Sequence, residues 1–167
     1  MNFQFYLERL HNTKDFQKFL KENKKAYPCS AFFVINKENP NEKNQQHFDY
    51  YIPSTNKMFS FKLEEDCQRT PIEVRDQKIP EKISMNYDFD FNEIEEIIKN
   101  KMQEEKVTEK IQKILLSLQH LKEKDYFIGT VFISSMGIIS LHIDIEEKKI
   151  ILFEKRSLLD MIKIIKK

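Results

Sequence analysis

The sequence predicts an α+β protein in which an antiparallel β-sheet packs against helices. Three observations carry that prediction. Short apolar runs rich in aromatic and β-branched residues, such as Ala31-Phe32-Phe33-Val34-Ile35, recur between turn-forming residues, as strands joined by hairpins do. Two other stretches, around residues 16–20 and 94–102, place apolar residues at helical spacing. Finally, 40% hydrophobic and 33% charged residues over 167 positions is a globular mix, and no uncharged apolar run approaches the ~18 residues of a membrane span.

The elements follow in order. Residues 3–10 form a turn or helix with Phe3, Leu7 and Leu10 on one side, and Thr13 caps a helix whose buried positions are Phe16, Phe19 and Leu20. Pro28 closes that region. Ala31–Ile35 is too short for a helix and reads as a central strand, followed by a polar loop from Asn36 to Gln46. His47–Ile52 and Lys57–Leu63 are strands around the turn Pro53-Ser54-Thr55-Asn56. Residues 64–91 read as a connector with one short strand near Ile72–Arg75. Asn92 and Glu95 then fit a capping box, with Ile94, Ile97, Ile98 and Met102 as the apolar stripe. Val107, Ile111, Ile114, Leu115, Leu118 and Leu121 continue that spacing, so a long helical segment over 92–122 is expected to lie across one face of the sheet. Strands are predicted over Tyr126–Ser134, Ile138–Ile145 and Lys149–Phe153. A last short helix begins at Ser157, with Leu158, Met161, Ile162 and Ile165 on one face.

A single domain over 1–167 is expected, and within it the order of elements recurs. Halves 1–63 and 92–155, joined by a linker over 64–91, each read as helix-β-β-β. Pro53–Phe61 can be laid on Ile145–Phe153 without a gap. True duplication and one sheet of coincidental order both remain open at this level.

Residues 107–155 resemble PepSY-like modules, which pair a helix with an antiparallel meander. The resemblance rests on Leu118-Gln119-His120-Leu121 as a helix end, then Ile128-Gly129-Thr130-Val131, then the run from Leu141 to Ile151. Glu147-Lys148 stands where the family usually turns on Thr-Gly. The resemblance implies a topology, and a binding or inhibitory role rather than a reaction.

Composition excludes several function classes. Two glycines, Gly129 and Gly137, cannot write a P-loop, a Rossmann fingerprint or a nucleophile elbow. Residues 1–90 carry 14 basic and 14 acidic side chains, and 91–167 carry 14 and 13, so neither half is the basic surface that phosphate binding needs. Lys148–Lys167 is the exception, with seven basic residues against Glu154 and Asp160. Cys29 and Cys67 form no metal or redox motif, and charge interrupts the N-terminal residues too early for a signal peptide, so a cytoplasmic protein with free thiols is expected.

Candidate sites are few. His47-Phe48-Asp49 and His142-Ile143-Asp144 each place an imidazole and a carboxylate on one strand face, and symmetric packing of the halves could bring the four to a metal. The plainer reading is polar positions on half-buried strands, and no cofactor is expected. Asp88-Phe89-Asp90-Phe91-Asn92 begins like a calcium loop, but Glu93 and Lys99 stand where Gly and the bidentate Glu belong. The favoured reading is a non-catalytic protein-interaction or scaffold module whose partner is protein, self or other, with Leu158, Met161, Ile162 and Ile165 as the docking face. The alternatives are an enzyme with a site assembled across the two halves, and a weak nucleic-acid binder acting through the basic C-terminal segment.

Overall fold

In the computed structural model, which describes residues 2–39, 41–64, 66–73 and 79–157, eight strands form one antiparallel sheet with helices on one face. Helices α1 (Phe3–His11) and α2 (Lys14–Glu22) come first, then β1 (Tyr27–Asn36), β2 (Gln45–Ile52), β3 (Lys57–Lys62) and β4 (Gln68–Ile72). Helix α3 (Phe91–Glu104) precedes β5 (Ile111–Leu121), β6 (Lys124–Ile133), β7 (Gly137–Asp144) and β8 (Lys149–Ser157). The strand order is β4-β3-β2-β1-β5-β6-β7-β8, so each run of four is a meander and β1 joins β5 at the centre.

The main correction concerns residues 107–121. The expected long helix stops at Glu104, and Lys106, with φ of 56°, turns the chain into β5. Ile111–Leu121 alternates as a strand, with Ile114, Leu116 and Leu118 buried and Leu115 on the opposite face. Those three oppose Ile35, Phe33 and Ala31 on β1 and Val131, Gly129 and Phe127 on β6. The helix end in the PepSY-like resemblance, Leu118–Leu121, is therefore strand, and residues 107–155 contain a four-stranded meander with no helix.

Smaller displacements have local causes. Asp90, not Asn92, is the N-cap of α3: its carboxylate accepts from the Asn92 N–H, and Glu93 completes the capping box. The short strand of the connector lies at Gln68–Ile72 rather than 72–75, and positions 74 and 75 lie outside the described residues, as does the expected helix with Leu158, Met161, Ile162 and Ile165. Thr13 is the N-cap of α2, but its hydroxyl donates to the Leu10 carbonyl and to Cys67 Sγ.

One apolar cluster holds the three helices to the sheet. Phe33 sits at its centre, 1% exposed, with its ring edge-on to Phe3 and Phe127 and tilted against Phe91 at 4.7 Å between centroids. Phe16 and Phe19 of α2 pack edge-on to Phe61 of β3, each at 4.9 Å. Such pairs add to area burial by about 0.5–1.5 kcal/mol each. Phe89 and Phe91 also point into this cluster, so the Asp88–Asn92 run is an aromatic lead-in to α3 with Asp90 as its cap.

Candidate interaction surface

Strand alternation that buries Ala31, Phe33 and Ile35 under the helices turns Phe32 and Val34 to the other side of the sheet. The register extends that outer face across five or more strands. Phe32 opposes Ser117, which opposes Ile128, which opposes His142, which opposes Leu152. In the next row stand Val34, Leu115, Thr130, Ser140 and Glu154, and toward the β6–β7 turn come Asn36, Lys113, Phe132, Ile138 and Arg156. The outer face thus mixes aliphatic and aromatic residues with Ser117, Thr130, Ser140 and His142, with charge at its rim. All three helices belong to the cluster on the opposite face, and among the described residues no helix covers this one. Phe32, Leu115, Ile128, Phe132, Ile138 and Leu152 are half-buried by their sheet neighbours, and Val34 is 7% exposed. A sheet with one solvated face ordinarily alternates to polar residues there.

A recess of about 300 Å³ opens at one end of this face, lined by Val34, Asn36, Glu42, Glu64 and Lys113. Glu42 pairs with Lys113 at 3.3 Å, and Glu64 accepts from the Gln46 backbone and lies 3.5 Å from His47 Nε2.

The four residues of the His-x-Asp pairs all lie on or beside this outer face, but they do not meet. His47 and His142 share a row and are four strand spacings apart, about 19 Å, whereas metal ligands sit within ~2–2.5 Å of the ion. Asp49 accepts from Ser30 Oγ at 2.6 Å. Asp144 accepts from the backbone N–H groups of Glu146 and Glu147, both at 3.0 Å, and from Lys124 at 3.2 Å. Burial alone would raise the Asp144 carboxyl, but these donors outweigh it and hold it below the usual carboxylate range. It ties the β7–β8 turn to the β5–β6 hairpin. Among the described residues, no group of three or more His, Cys, Asp or Glu is placed to hold a metal ion.

The polar cluster that sequence reasoning missed lies on the helix side. His120 and Asp125 are directly opposite across the two-residue turn Lys122-Glu123, where Lys122 adopts φ of 62°. His120 Nδ1 lies 2.6 Å from Asp125 Oδ1, and Asp125, 5% exposed, also accepts from the Ser84 N–H and the Tyr87 hydroxyl. Burial, then the hydrogen bond to Asp125, raises the Tyr87 phenol above its ordinary range. The other ring nitrogen of His120 lies 3.6 Å from Glu81, so a carboxylate stands beside each nitrogen. Tyr27 donates to the Pro80 carbonyl, and Gln4 to those of Met85 and Tyr87. The arrangement clamps residues 79–89 across the end of the sheet beside a cavity of about 620 Å³. Its only signal in the sequence is a His and an Asp flanking a hairpin turn, visible once Ile111–Leu121 is read as strand.

Neither cysteine is built for reactivity. Burial, then the nearby Asp49 carboxylate, pushes the Cys29 thiol up to about 12, and burial also raises Cys67. They sit toward opposite ends of the first meander: Cys29 is near the Tyr50 end of β2, and Cys67 precedes Gln68, which opposes Lys62 at the His47 end.

No protein-family model and no curated protein matches the chain. A crystal structure of a candidate lipoprotein from Clostridium difficile 630 is similar in fold, with a TM-score of 0.58 over 85% of this chain and 90% of that one, at 12% sequence identity. At that identity the similarity shows an α+β architecture with an antiparallel sheet, shared by the two chains, and nothing of activity.

Proposed function

We propose that this protein is a non-catalytic interaction module that presents the outer face of its sheet to the aliphatic side of a protein partner. The observation that carries the reading is that Phe32, Val34, Leu115, Ile128, Phe132, Ile138 and Leu152, interspersed with Ser117, Thr130, Ser140 and His142, stand on the face opposite all three helices. Half-buried apolar side chains on an uncovered sheet face are a cost in water, and partner binding is one reason for keeping them. The helix-side cluster supports the same reading: Asp125, beside His120, accepts from the Ser84 N–H and the Tyr87 hydroxyl and so braces the 79–89 segment.

The two halves read as copies of one unit, helix then four strands, within one domain, with two helices in the first half and one in the second. The strand order, symmetric about the β1–β5 pairing, supports this, and in it β3 corresponds to β7 rather than to β8. The PepSY-like likeness then lies in the hairpins β6–β7 and β7–β8. A cytoplasmic setting, consistent with two unpaired thiols, completes the proposal.

Photo-crosslinking tests the function. A benzophenone amino acid placed at Ile128 or Phe132 should trap one defined protein, while the same group at exposed Phe5 on the helix side should not. Equal trapping from all three positions, or none from the outer-face pair, would remove the basis for the proposal.

A further inference from the structure

We infer that the cavity on the helix side of the sheet is a second binding site, and that it takes a linear alkylamine carrying two or more ammonium groups. The site stands apart from the outer face and does not depend on what binds there.

At about 620 Å³ the cavity is of small-ligand size. Its walls follow the strand order: Tyr50 of β2, Pro28 of β1, His120 of β5, Asp125 of β6 and Glu146 just after β7. The cavity therefore runs crosswise over the strand ends, and from β2 to β7 is four strand spacings, about 19 Å. His11 lies at the Tyr50 end, because both rings pack edge-on to Phe16. Pro28, Ile83 and Met85 add apolar wall along the way. Polar groups at both ends and an apolar wall between them suit an alkyl chain with a polar head at each end.

The hydrogen-bonding inventory sets the chemistry of those heads. Tyr50 is 5% exposed and lines the cavity, yet its hydroxyl has no hydrogen-bond partner among the described residues. Burial raises its phenol, so the hydroxyl stays neutral and its oxygen can accept. His11 Nδ1 lies 2.8 Å from the Leu7 carbonyl, which only accepts, so Nδ1 carries a hydrogen and the neutral ring keeps a lone pair on Nε2. Asp125 sets His120 the same way, and His120 Nε2, at 3.6 Å from Glu81, is beyond hydrogen-bond range. At the far end the Tyr87 hydroxyl donates to Asp125 and keeps its own lone pairs.

Charge agrees with that inventory. The carboxylates of Glu123, Asp125 and Glu146 line the cavity together with the ammonium groups of Lys82 and Lys124. Asp125 is saturated by Ser84, Tyr87 and His120. Lys124 is drawn away to Asp144 at 3.2 Å and Glu147 at 3.6 Å. Lys82 is exposed and follows Glu81 in the chain, so water and a neighbouring carboxylate are open to it. Glu123 and Glu146 make no ion pair among the described residues. An ammonium group supplies the donors this cavity lacks, whereas an anion would meet those two carboxylates.

The test is titration of the full chain with 1,5-diaminopentane and with spermidine at physiological salt, read by assigned amide NMR. Binding should saturate at one molecule per chain and shift Ile83, Tyr87, His120 and Glu146, but not Leu115 or Phe132 on the outer face. Pentylamine, with one head, should bind about tenfold more weakly, the scale of one lost hydrogen bond to a charged group. Tyr50→Phe and Glu146→Gln remove groups without a partner in the fold, so each should weaken diamine binding about tenfold and leave the urea midpoint unchanged. No saturable binding, shifts spread over carboxylates elsewhere on the surface, or both variants binding as the parent does would overturn the inference. Pentylamine or a capped lysine binding as tightly as the diamine would refute the two-headed ligand, and tighter binding of glutarate would refute its charge.

Discussion

Leu115 and Leu116 are adjacent, chemically identical and on opposite faces of β5, so truncating each in turn separates the strand from the helix that the spacing suggested. Leu116 is fully buried between Phe33 of β1 and Gly129 of β6. Leu116→Ala removes its aliphatic side chain from that position, and deletions of this kind cost about 2–5 kcal/mol depending on how far the site collapses. Here collapse is limited. Gly129 has no side chain to lean in, and the space above it is already taken by Leu141, whose Cδ1 lies 2.5 Å from where a Gly129 Cβ would stand. We therefore expect about 3–4 kcal/mol. Leu115 is half-buried between Val34 and Thr130, so Leu115→Ala should cost about 1 kcal/mol. For a chain of this size each kcal/mol moves the midpoint by about 2–4 °C, so the two variants should separate by about 5–10 °C. The chain has no tryptophan, so far-UV circular dichroism through urea and thermal unfolding is the suitable assay. A Leu115→Ala loss equal to or above that of Leu116→Ala would refute the strand register of β5.

Three further outcomes follow from the polar and thiol sites. In folded protein both thiols should be silent to a disulfide reagent at neutral pH, and two should react on unfolding; a rapid reaction of either in the native state would contradict the burial of Cys29 and Cys67. Asp144, with its folded pKa held down, contributes stability that is complete above the unfolded value of about 4 and is lost as pH falls through the folded value. The urea midpoint should thus fall on acidification below about pH 4, and Asp144→Asn should flatten that part of the profile. Asp125→Ala leaves the Ser84 N–H and the Tyr87 hydroxyl without their acceptor, a cost of about 1–3 kcal/mol, and should make residues 79–89 the first site of proteolysis; an unchanged cleavage pattern would show that the clamp does not hold that segment.

Much of the fold was legible from residue patterns, and the failures have identifiable causes. Ala31–Ile35, the hairpin around Pro53–Asn56 and the strands from Tyr126 onward were readable because β-rich runs are bounded by turn residues on both sides. The stretch Ile111–Leu121 satisfies two periods at once. Ile111, Ile114, Leu115 and Leu118 fit a helix, while Ile114, Leu116 and Leu118 fit a strand, and leucine, lysine and glutamine favour the helix locally. Pairing on both sides, with β1 and β6, decides it, and that information is not local. The same misreading concealed the His120–Asp125 pair, which faces across a hairpin only when both flanks are strands. It also obscured the outer face, because Leu115 joins Val34 and Thr130 in a row only through that pairing. The His-x-Asp pairs were correctly placed on single strand faces, but their distance across the sheet depended on a strand order that alternation alone does not supply.

The central claim, that the outer face serves a partner rather than the fold, is tested most directly by Phe132→Lys/Ile138→Lys in the full chain. The account predicts that circular dichroism and the urea midpoint stay close to those of the parent, because both side chains lie off the buried cluster, while binding to the protein crosslinked through Ile128 is lost. A collapsed urea midpoint would place these residues in the core of the fold, and an unchanged fold with unchanged binding would place the partner elsewhere; either result would contradict the claim.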